Sequence, residues 1–316
     1  MTLRLVGILG LCGLGPAVGA ATGDAAPPVD VTQQVGVLLE RMASALRSLN
    51  YEGVLVYLHE NRLETLNLLH RVEQGRSQER LVSLSGPVRA VAREGDRVLC
   101  ALPDGHPLAV ERHDGGHLLE TDGINPVALE QDYRTAILGA ARIAGRDTDV
   151  IGIIPRDHLR YGYRFYIDRE TALPLKSDLI DQREEPLEQL MFTSIALQPS
   201  DGVTPERVGQ PVRNAPVTEA SSRWRFDAPP AGFQLVMHNE IAQSNGVAIE
   251  HFLFTDRLSA YSIYIEDGPQ DGLDGVTNIG AVHAAGRQID GHQVTAIGEV
   301  PAATVEAAIA GARLRP

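Results

Sequence analysis

The stretch TQQVGVLLERMASALRSLNYEGVLVYLHENRLETLNLLHRV, residues 32–72, changes from a helical pattern to a strand pattern near its middle. In its first half the apolar residues recur every three or four positions. They are Val35, Leu38, Leu39, Met42, Leu46 and Leu49. This spacing predicts an amphipathic helix over residues 32–48, with Thr32 as its N-cap. An apolar stripe of this kind needs a surface to cover.

The residues that follow predict that surface, because short Val- and Leu-rich runs alternate with turn residues such as Gly86-Pro87. The predicted strands are 51–58, 63–72, 79–84, 88–93 and 97–102, and, after a looser region, 141–144, 149–154, 161–168, 175–181 and 187–197. Links this short allow only hairpins, so the strands should pair antiparallel. We therefore predict a mostly β, α+β fold: residues 31–198 form a large curled antiparallel sheet, unclosed like half a barrel, with the helix on its concave face.

A change of composition separates this region from a second one. Residues 199–222 have no apolar period and are predicted to form a linker. Prolines are spaced through it at Pro199, Pro205, Pro211 and Pro216. Residues 223–316 are predicted to be a small α+β domain with strands at 234–238, 247–254, 259–266, 276–284 and 292–298. Pro301 should open its closing helix.

The first 20 residues predict a secretory signal peptide, since Arg4 precedes an apolar run over residues 5–14 and small residues follow. The apolar run is shorter than the about 20 residues that span a bilayer. Cleavage is expected after Ala20, with Ala21 as the alternative. Cys12 is interpreted as part of the discarded segment rather than a lipidation site, because Leu11 stands where a small residue is expected. The mature chain should therefore lie outside the cytoplasm.

Composition excludes several classes of function. Hydrophobic residues make up 43% and charged residues 22% of the chain, which is ordinary for a globular protein. The net charge of -13 argues against a nucleic-acid partner. After export only Cys100 remains, so no internal disulfide can form. Cys100 is interpreted as a small apolar strand residue, with a reactive thiol as the alternative.

No motif predicts a cofactor, a metal or a catalytic centre. The glycines of the signal peptide lack the strand and helix of a phosphate-binding loop. His113, Asp114 and His117 lie in a glycine-containing loop and do not form a closed ligand set. Asp267, Asp271 and Asp274 lack the spacing of a calcium loop. Without a nucleophile and base in a known arrangement, we do not expect an enzyme, although a periplasmic hydrolase is the competing class.

Several pieces of sequence resemble one family. In the first region they are Ala144-Gly145-Arg146, Pro155-Arg156-Asp157, Arg160-Tyr161-Gly162 and Leu173-Pro174-Leu175. In the second they are residues 229–233, FTDRLSAYSIYIE at 254–266 and VTAIGEVPAATVEAAIA at 294–310. Together they resemble the MucB/RseB family in both regions and in the same order.

The resemblance implies a periplasmic negative regulator of a sigma-E-type envelope stress response. Such a protein binds the periplasmic region of a membrane anti-sigma factor of the RseA/MucA kind and shields it from regulated proteolysis. The resemblance also implies a larger domain similar in fold to LolA and LolB, and release triggered by lipopolysaccharide or another lipid. A periplasmic lipoprotein or lipid carrier of the LolA/LolB type is the alternative, and a homo-oligomer is left open.

Two sets of residues are candidates for binding. The candidates for a lipid pocket are Leu38, Leu39, Met42, Tyr161, Tyr163 and Phe165. The candidates for the partner interface are Trp224, Phe252, Phe254, Tyr261 and Tyr264. At strand spacing the aromatic members are more often ordinary core residues and cross-strand pairs. Trp224 is interpreted first as an anchor that packs the end of the linker onto the second domain, with an interface hot spot as the alternative.

Overall fold

The structure is a computed structural model and describes residues 30–73, 76–85, 90–94, 97–101, 107–111, 126–198, 222–242, 248–267 and 272–315. The predicted signal peptide, residues 199–221 of the predicted linker, and the loop with His113, Asp114 and His117 lie outside the described residues.

Most of the first region forms one antiparallel sheet. Its strands are β1 (Asn50–His59), β2 (Arg62–Glu73), β3 (Arg76–Ser83), β4 (Ala90–Glu94), β5 (Arg97–Ala101), β6 (Pro107–Glu111), β7 (Tyr133–Ile143), β8 (Arg146–Pro155), β9 (Gly162–Asp168), β10 (Pro174–Ile180) and β11 (Pro186–Gln198). Among the described residues their order is β6-β5-β4-β3-β2-β1-β11-β10-β9-β8-β7, so β6 and β7 are edges. We call this the large sheet.

The large sheet is strongly curled. In a flat sheet, β7 and β11 would lie about 19 Å apart, because neighbouring strands are about 4.8 Å apart. Residues of β7 nevertheless contact residues of β11 directly. The predicted unclosed, curled antiparallel sheet is thus confirmed.

The first helix, α1 (Val31–Ser48), packs on the concave side of the large sheet. Val35, Leu39, Met42 and Leu46 are buried there, as their spacing predicts. The predicted N-cap is wrong by two positions. Asp30 is the cap, because its carboxylate accepts the Thr32 N–H at 3.0 Å and thereby satisfies a free amide of the first turn.

The second region forms a six-stranded antiparallel sheet, the small sheet. Its strands are β13 (Gln234–Ala242), β14 (Ala248–Thr255), β15 (Ala260–Asp267), β16 (Gly275–Ile279), β17 (Val282–Ile289) and β18 (His292–Gly298). Their order among the described residues is β13-β14-β15-β18-β17-β16. Helix α3 (Ala302–Gly311) covers one face with Val305, Ala308 and Ile309. A ribbon of β12 (Trp224–Phe226) and β19 (Ala312–Leu314) joins the beginning of this region to its end.

Some elements differ from the predictions. Residues 276–284 were expected to be one strand, but they contain the end of β16, a turn at Gly280-Ala281 and the start of β17. Gly280 has a φ of 60°. A two-residue hairpin turn needs a positive φ at its first residue, and glycine adopts one at low cost. Pro301 is the N-cap of α3 rather than its first residue. Short elements β6, β12, β19 and α2 (Pro126–Leu129) were not predicted.

No helix within the described part of the chain combines the length and the apolar character needed to cross a membrane.

Candidate functional site

The connection between β8 and β9 carries a buried arginine that joins the two sheets. The Arg160 side chain has no exposed surface. Its Nε and Nη2 donate to the two carboxylate oxygens of Asp157 at 3.0 and 3.1 Å. Its Nη1 donates to Asp256 Oδ2 of the small sheet at 2.7 Å, and Nη2 also donates to the Ala231 carbonyl. One guanidinium thus binds groups from both regions of the chain.

Asp256 is held in place by its own turn between β14 and β15. Its Oδ1 accepts the backbone N–H groups of Leu258 and Ser259 at 2.9 and 2.7 Å. Its Oδ2 accepts the Tyr133 hydroxyl at 2.8 Å in addition to Arg160. The carboxylate therefore reaches the large sheet in a fixed orientation. We call Arg160, Asp132, Tyr133, Asp157 and Asp256 the Arg160 cluster.

The electrostatics of the Arg160 cluster keep Arg160 charged and do not favour proton transfer. Burial opposes the positive charge of Arg160, but its hydrogen bonds to Asp157 and the charge of Asp256 hold its pKa above the ordinary value. Desolvation raises the pKa of Asp132, whose carboxylate lies 3.4 Å from Arg160 Nη1. Burial and the charge of Asp256 raise the pKa of Tyr133. An always-charged guanidinium between carboxylates is suited to fastening two units together.

A second set of contacts joins the sheets through the hairpin of β16 and β17. Glu60 Oε1 accepts the Gly280 N–H at 2.6 Å, and Glu188 Oε1 accepts the Ala281 N–H at 3.4 Å. Glu188 Oε2 also accepts the Tyr57 hydroxyl. From the end of β18, Glu299 Oε2 accepts the Tyr163 hydroxyl at 3.3 Å. We call Glu60, Glu188 and Glu299 the acidic junction.

Like charges meet in the acidic junction. Desolvation, followed by the nearby charge of Glu188, raises the pKa of Glu299, while the hydrogen bond from Tyr163 opposes the shift. The ionised forms of Glu188 and Glu299 therefore repel each other across the contact between the sheets.

Apolar contacts complete the joint between the sheets. Ala281 packs with Tyr161 and Leu179 of the large sheet. Leu258, from the same turn as Asp256, packs against the core beneath α1. The Thr304 hydroxyl of α3 donates to the Leu159 carbonyl. Burial, hydrogen bonds and charge pairs thus act at the same contact.

The structure brings five of the six lipid-pocket candidates into one core. Leu39, Met42 and Phe165 are at most 3% exposed, and Leu38 and Tyr163 pack against them. The Tyr163 and Phe165 rings stack at 5.6 Å. Tyr161 lies instead in the joint between the sheets. With α1 closed over these side chains, an acyl chain could reach them only if the helix moved.

Four of the five partner-interface candidates lie in the core of the small sheet. Trp224, Phe252, Phe254 and Tyr261 are at most 2% exposed. A partner could touch their rings only after this core opened. Tyr264 is partly exposed and stacks on His251 at 4.4 Å. Its place among the interface candidates stays a prediction.

Two histidine arrangements resemble catalytic pairs, and neither has the geometry of a relay. His251 Nε2 lies 2.9 Å from Ser262 Oγ, but among the described residues no carboxylate orients the other ring nitrogen. Glu250 Oε2 accepts the Ser222 hydroxyl at 2.7 Å and lies 3.0 Å from His238 Nε2. Since Ser222 donates to the glutamate and not to the histidine, the order serine, histidine, carboxylate of a relay is not formed. The described part of the chain also holds no group of three or more His, Cys, Asp or Glu suited to a metal ion.

Arg160 and Asp256 were not assigned a role from the sequence, although both lie in the pieces that resemble the family. The other pieces also have structural roles near the cluster. Arg156 Nε donates to the Tyr133 carbonyl at 3.0 Å, and a Cβ on Gly162 would lie 2.3 Å from the Ile153 carbonyl oxygen. The signal for this site in the sequence was Arg160-Tyr161-Gly162 between two apolar strands. Nothing in a single sequence indicates that Arg160 pairs with Asp256, 96 positions later.

Comparisons with known proteins agree with this architecture. The family model for the MucB/RseB N-terminal domain matches residues 34–218, and that for the MucB/RseB C-terminal domain matches residues 218–313. The chain is 31% identical to the sigma factor AlgU regulatory protein MucB of Pseudomonas aeruginosa, over 85% of this chain and 87% of that protein. It is 25% identical to the sigma-E factor regulatory protein RseB of Escherichia coli K12, over 87% and 89% of the two chains.

A solved structure has the same fold. The MucB chain in a complex of Pseudomonas aeruginosa MucA and MucB aligns with a TM-score of 0.68 and 26% identity, covering 90% of this chain and 99% of that one. A second structure, of MucB with the periplasmic part of MucA, aligns with a TM-score of 0.66, 27% identity, and coverage of 89% and 98%. With both family models matched in order along its length, the chain belongs to the MucB/RseB family of sigma factor regulatory proteins.

Proposed function

We propose that this protein binds the periplasmic segment of a membrane anti-sigma factor, protects that segment from regulated proteolysis, and so represses a sigma-E-type envelope stress response. The observation that carries the proposal is membership of a family in which MucB has been crystallised with the periplasmic part of MucA. The predicted signal peptide of residues 1–20 supports a location in the periplasm. In this proposal the chain acts by binding alone.

Lipid is the proposed release signal, and its proposed site is the core beneath α1. Leu38, Leu39 and Met42 of α1, together with Tyr163 and Phe165, would line the acyl chains once the helix is displaced. The concave face of the large sheet is apolar and would bind such chains through the hydrophobic effect alone. Tyr161 would lie at the edge of this site, next to the small sheet.

The continuity of that core with the joint between the sheets supports coupling of the two events. Tyr133 is buried in the core beneath α1, and its hydroxyl donates to Asp256 of the small sheet. Leu258 packs against the same core from the small sheet. A lipid that moves α1 would therefore disturb side chains that fasten the small sheet.

The proposed mechanism is a shift of populations. Lipid releases the partner only if it binds the open form of the protein more tightly than the partner-bound form. The effect has an upper limit set by this difference in affinity. A lipid with equal affinity for both forms would leave the complex intact.

The two regions are proposed to divide the work, with residues 31–198 binding lipid and residues 223–316 binding the partner. A simple deletion of the second region is a poor test, because it would leave Arg160 uncovered beside Asp157 and Asp132. Substitutions that leave both regions in place are a better test of this division.

The proposal can be tested by a protection assay. The mature chain is mixed with a soluble periplasmic segment of the anti-sigma factor encoded in the same genome, and the segment is exposed to the protease that normally cleaves it. We expect cleavage to slow in the presence of the chain and to recover when lipopolysaccharide is added. Equal cleavage with and without the chain would contradict the proposal.

The alternative is a carrier of lipoproteins or lipids. A carrier would bind an acylated peptide and ignore the anti-sigma segment, whereas a regulator would bind the unacylated segment directly. Pull-downs with these two baits separate the two functions.

A further inference from the structure

The outermost strand of the small sheet has an open edge. In β16, Gly275–Ile279, all five residues are exposed, including Val276 at 42% and Ile279 at 80%. Among the described residues, β17 is its only strand neighbour. Val, Thr and Ile favour strands, and no residue of β16 carries a charge or is a proline that would block further pairing.

The hairpin geometry tells which backbone groups face the open edge. The two-residue turn Gly280-Ala281 makes Ile279 and Val282 a hydrogen-bonded pair. Because the pattern alternates along an antiparallel ladder, Thr277 also bonds to β17, while the N–H and C=O groups of Val276 and Asn278 point outward. As far as the described residues show, two donors and two acceptors are thus available for one more strand.

The surroundings of β16 favour a particular kind of strand. At the turn end lie the carboxylates of Glu60 and Glu188, which accept the Gly280 and Ala281 N–H groups. The opposite end carries the exposed Asp274. A second copy paired antiparallel through β16 would place Asp274 beside the acidic junction of its neighbour, so like charges oppose a dimer. A peptide with a basic residue near Ile279 would be attracted.

We propose that β16 is the edge to which an extended segment of the anti-sigma partner adds as a seventh strand. This inference rests on the proposed function and specifies how the partner is recognised. Backbone hydrogen bonds to Val276 and Asn278 supply affinity. Val276 and Ile279 present one apolar side chain on each face of β16, so they and the carboxylates at the turn select a segment with an apolar residue on each face and a lysine or arginine near Ile279. This edge lies beside the joint between the sheets, so the bound segment contacts both.

The test uses the full mature chain and fluorescent synthetic peptides that together span the periplasmic segment of the anti-sigma factor encoded in the same genome. Asn278→Pro removes an outward N–H, and Thr277→Lys places a charge on the edge strand. Asn239→Lys is the matched control, because Asn239 is exposed in β13, the strand at the other edge of the small sheet. Circular dichroism and melting confirm that each variant is folded.

We expect Asn278→Pro to weaken binding of one peptide by about tenfold or more, since a lost hydrogen bond of about 1.4 kcal/mol changes affinity by that factor. Thr277→Lys should also weaken it, because a lysine charge on an edge strand opposes pairing and repels the basic residue of the segment. Asn239→Lys should bind as the wild type does. In the wild type, hydrogen exchange at the amides of Val276 and Asn278 should slow when the peptide binds, a readout that needs no substitution.

Three results would overturn the inference. If a peptide binds the wild type and the β16 variants equally and exchange at β16 is unchanged, strand addition is wrong while the proposed function stands. If no peptide binds the wild type, both fail together. Loss of self-association in the β16 variants with unchanged peptide binding would assign the edge to a second copy instead.

Discussion

Arg160 carries a full positive charge into a place without solvent, and its neighbours make this tolerable. Removal of one partner from a buried ion pair leaves the other charge uncompensated, which costs more than the pair itself contributes. In the Arg160 cluster the fully buried carboxylate of Asp256 would be left in this state. The side chain should therefore be among the most sensitive positions in the molecule.

Arg160→Met is expected to lower the free energy of unfolding by about 3–5 kcal/mol. Arg169→Met is the control, because Arg169 bonds to Asp149 at 2.8 Å with its side chain 51% exposed. Exposed pairs contribute about 1 kcal/mol or less. Urea unfolding followed by fluorescence of Trp224 measures both, and equal midpoints for the two variants would contradict the role given to Arg160.

The raised pKa of Glu299 predicts that the stability of the protein depends on pH. Its raised pKa means that the docked form binds a proton more readily than the unfolded form, so this contribution to stability is present at low pH and is lost as pH rises through the raised pKa. At pH 7, Glu299→Gln should raise the melting temperature because it removes the cost of burying a charge and, second, the repulsion from Glu188. The difference should shrink below the ordinary pKa of 4.5.

Glu306→Gln on α3 is the control for this experiment, since Glu306 is an exposed glutamate outside the acidic junction. Its melting temperature should follow the wild type across the pH range. A Glu299→Gln effect of the same size at low and neutral pH would show that the charge of Glu299 is not its cause.

The residue scale also shows where prediction from sequence ends. Burial of Leu39, Met42 and Phe165 follows from periodicity, because each position is fixed by its neighbours along one helix or strand. The pairing of Arg160 with Asp256 depends on how two separately folded regions meet. No local pattern contains that information, so the family pieces could be recognised without their roles.

At the scale of elements, α1 is the part proposed to move. It is held by the buried residues of one face and by the Asp30 cap. Leu39→Ala should lower the free energy of unfolding by about 2–5 kcal/mol, because it leaves a cavity between the helix and the sheet. Val37→Ala on the same helix should change it little, since Val37 is 52% exposed. Similar losses in urea unfolding for both variants would contradict the packing of α1 described above.

A disulfide can test whether α1 must move for release. The hydroxyl oxygens of Thr32 in α1 and Thr135 in β7 lie 3.4 Å apart. The variant Thr32→Cys with Thr135→Cys, made in a Cys100→Ala background without residues 1–20, should form a crosslink. When oxidised, it should keep the partner bound in the presence of lipopolysaccharide, and the reduced form of the same protein should release it. Release from the oxidised form would mean that α1 stays in place during lipid binding.

Element boundaries were predicted best where alternation is strong. Strands β1, β2 and β11 extend only one or two residues beyond the predicted ranges. The hairpin of β16 and β17 was missed because Val282 follows Ile279 so closely that the apolar pattern looks continuous. Its turn is marked only by Gly280. The helix cap was missed because Asp30 and Thr32 are both good caps by residue type.

At the scale of the whole molecule, two sheets are fastened by the Arg160 cluster and the acidic junction. The first set contains an arginine that compensates its carboxylates, whereas carboxylates repel each other in the second. A joint with opposing contributions can be shifted by a modest change in free energy. This is the property that a regulator released by a second ligand requires.

Partner and lipid are proposed to compete through two forms of one protein, and such competition must be reciprocal. The Kd for the anti-sigma segment is measured with and without saturating lipopolysaccharide, and the Kd for lipopolysaccharide with and without saturating segment. We expect each ligand to weaken binding of the other by the same factor. A Kd for the segment that does not change at saturating lipopolysaccharide would contradict it.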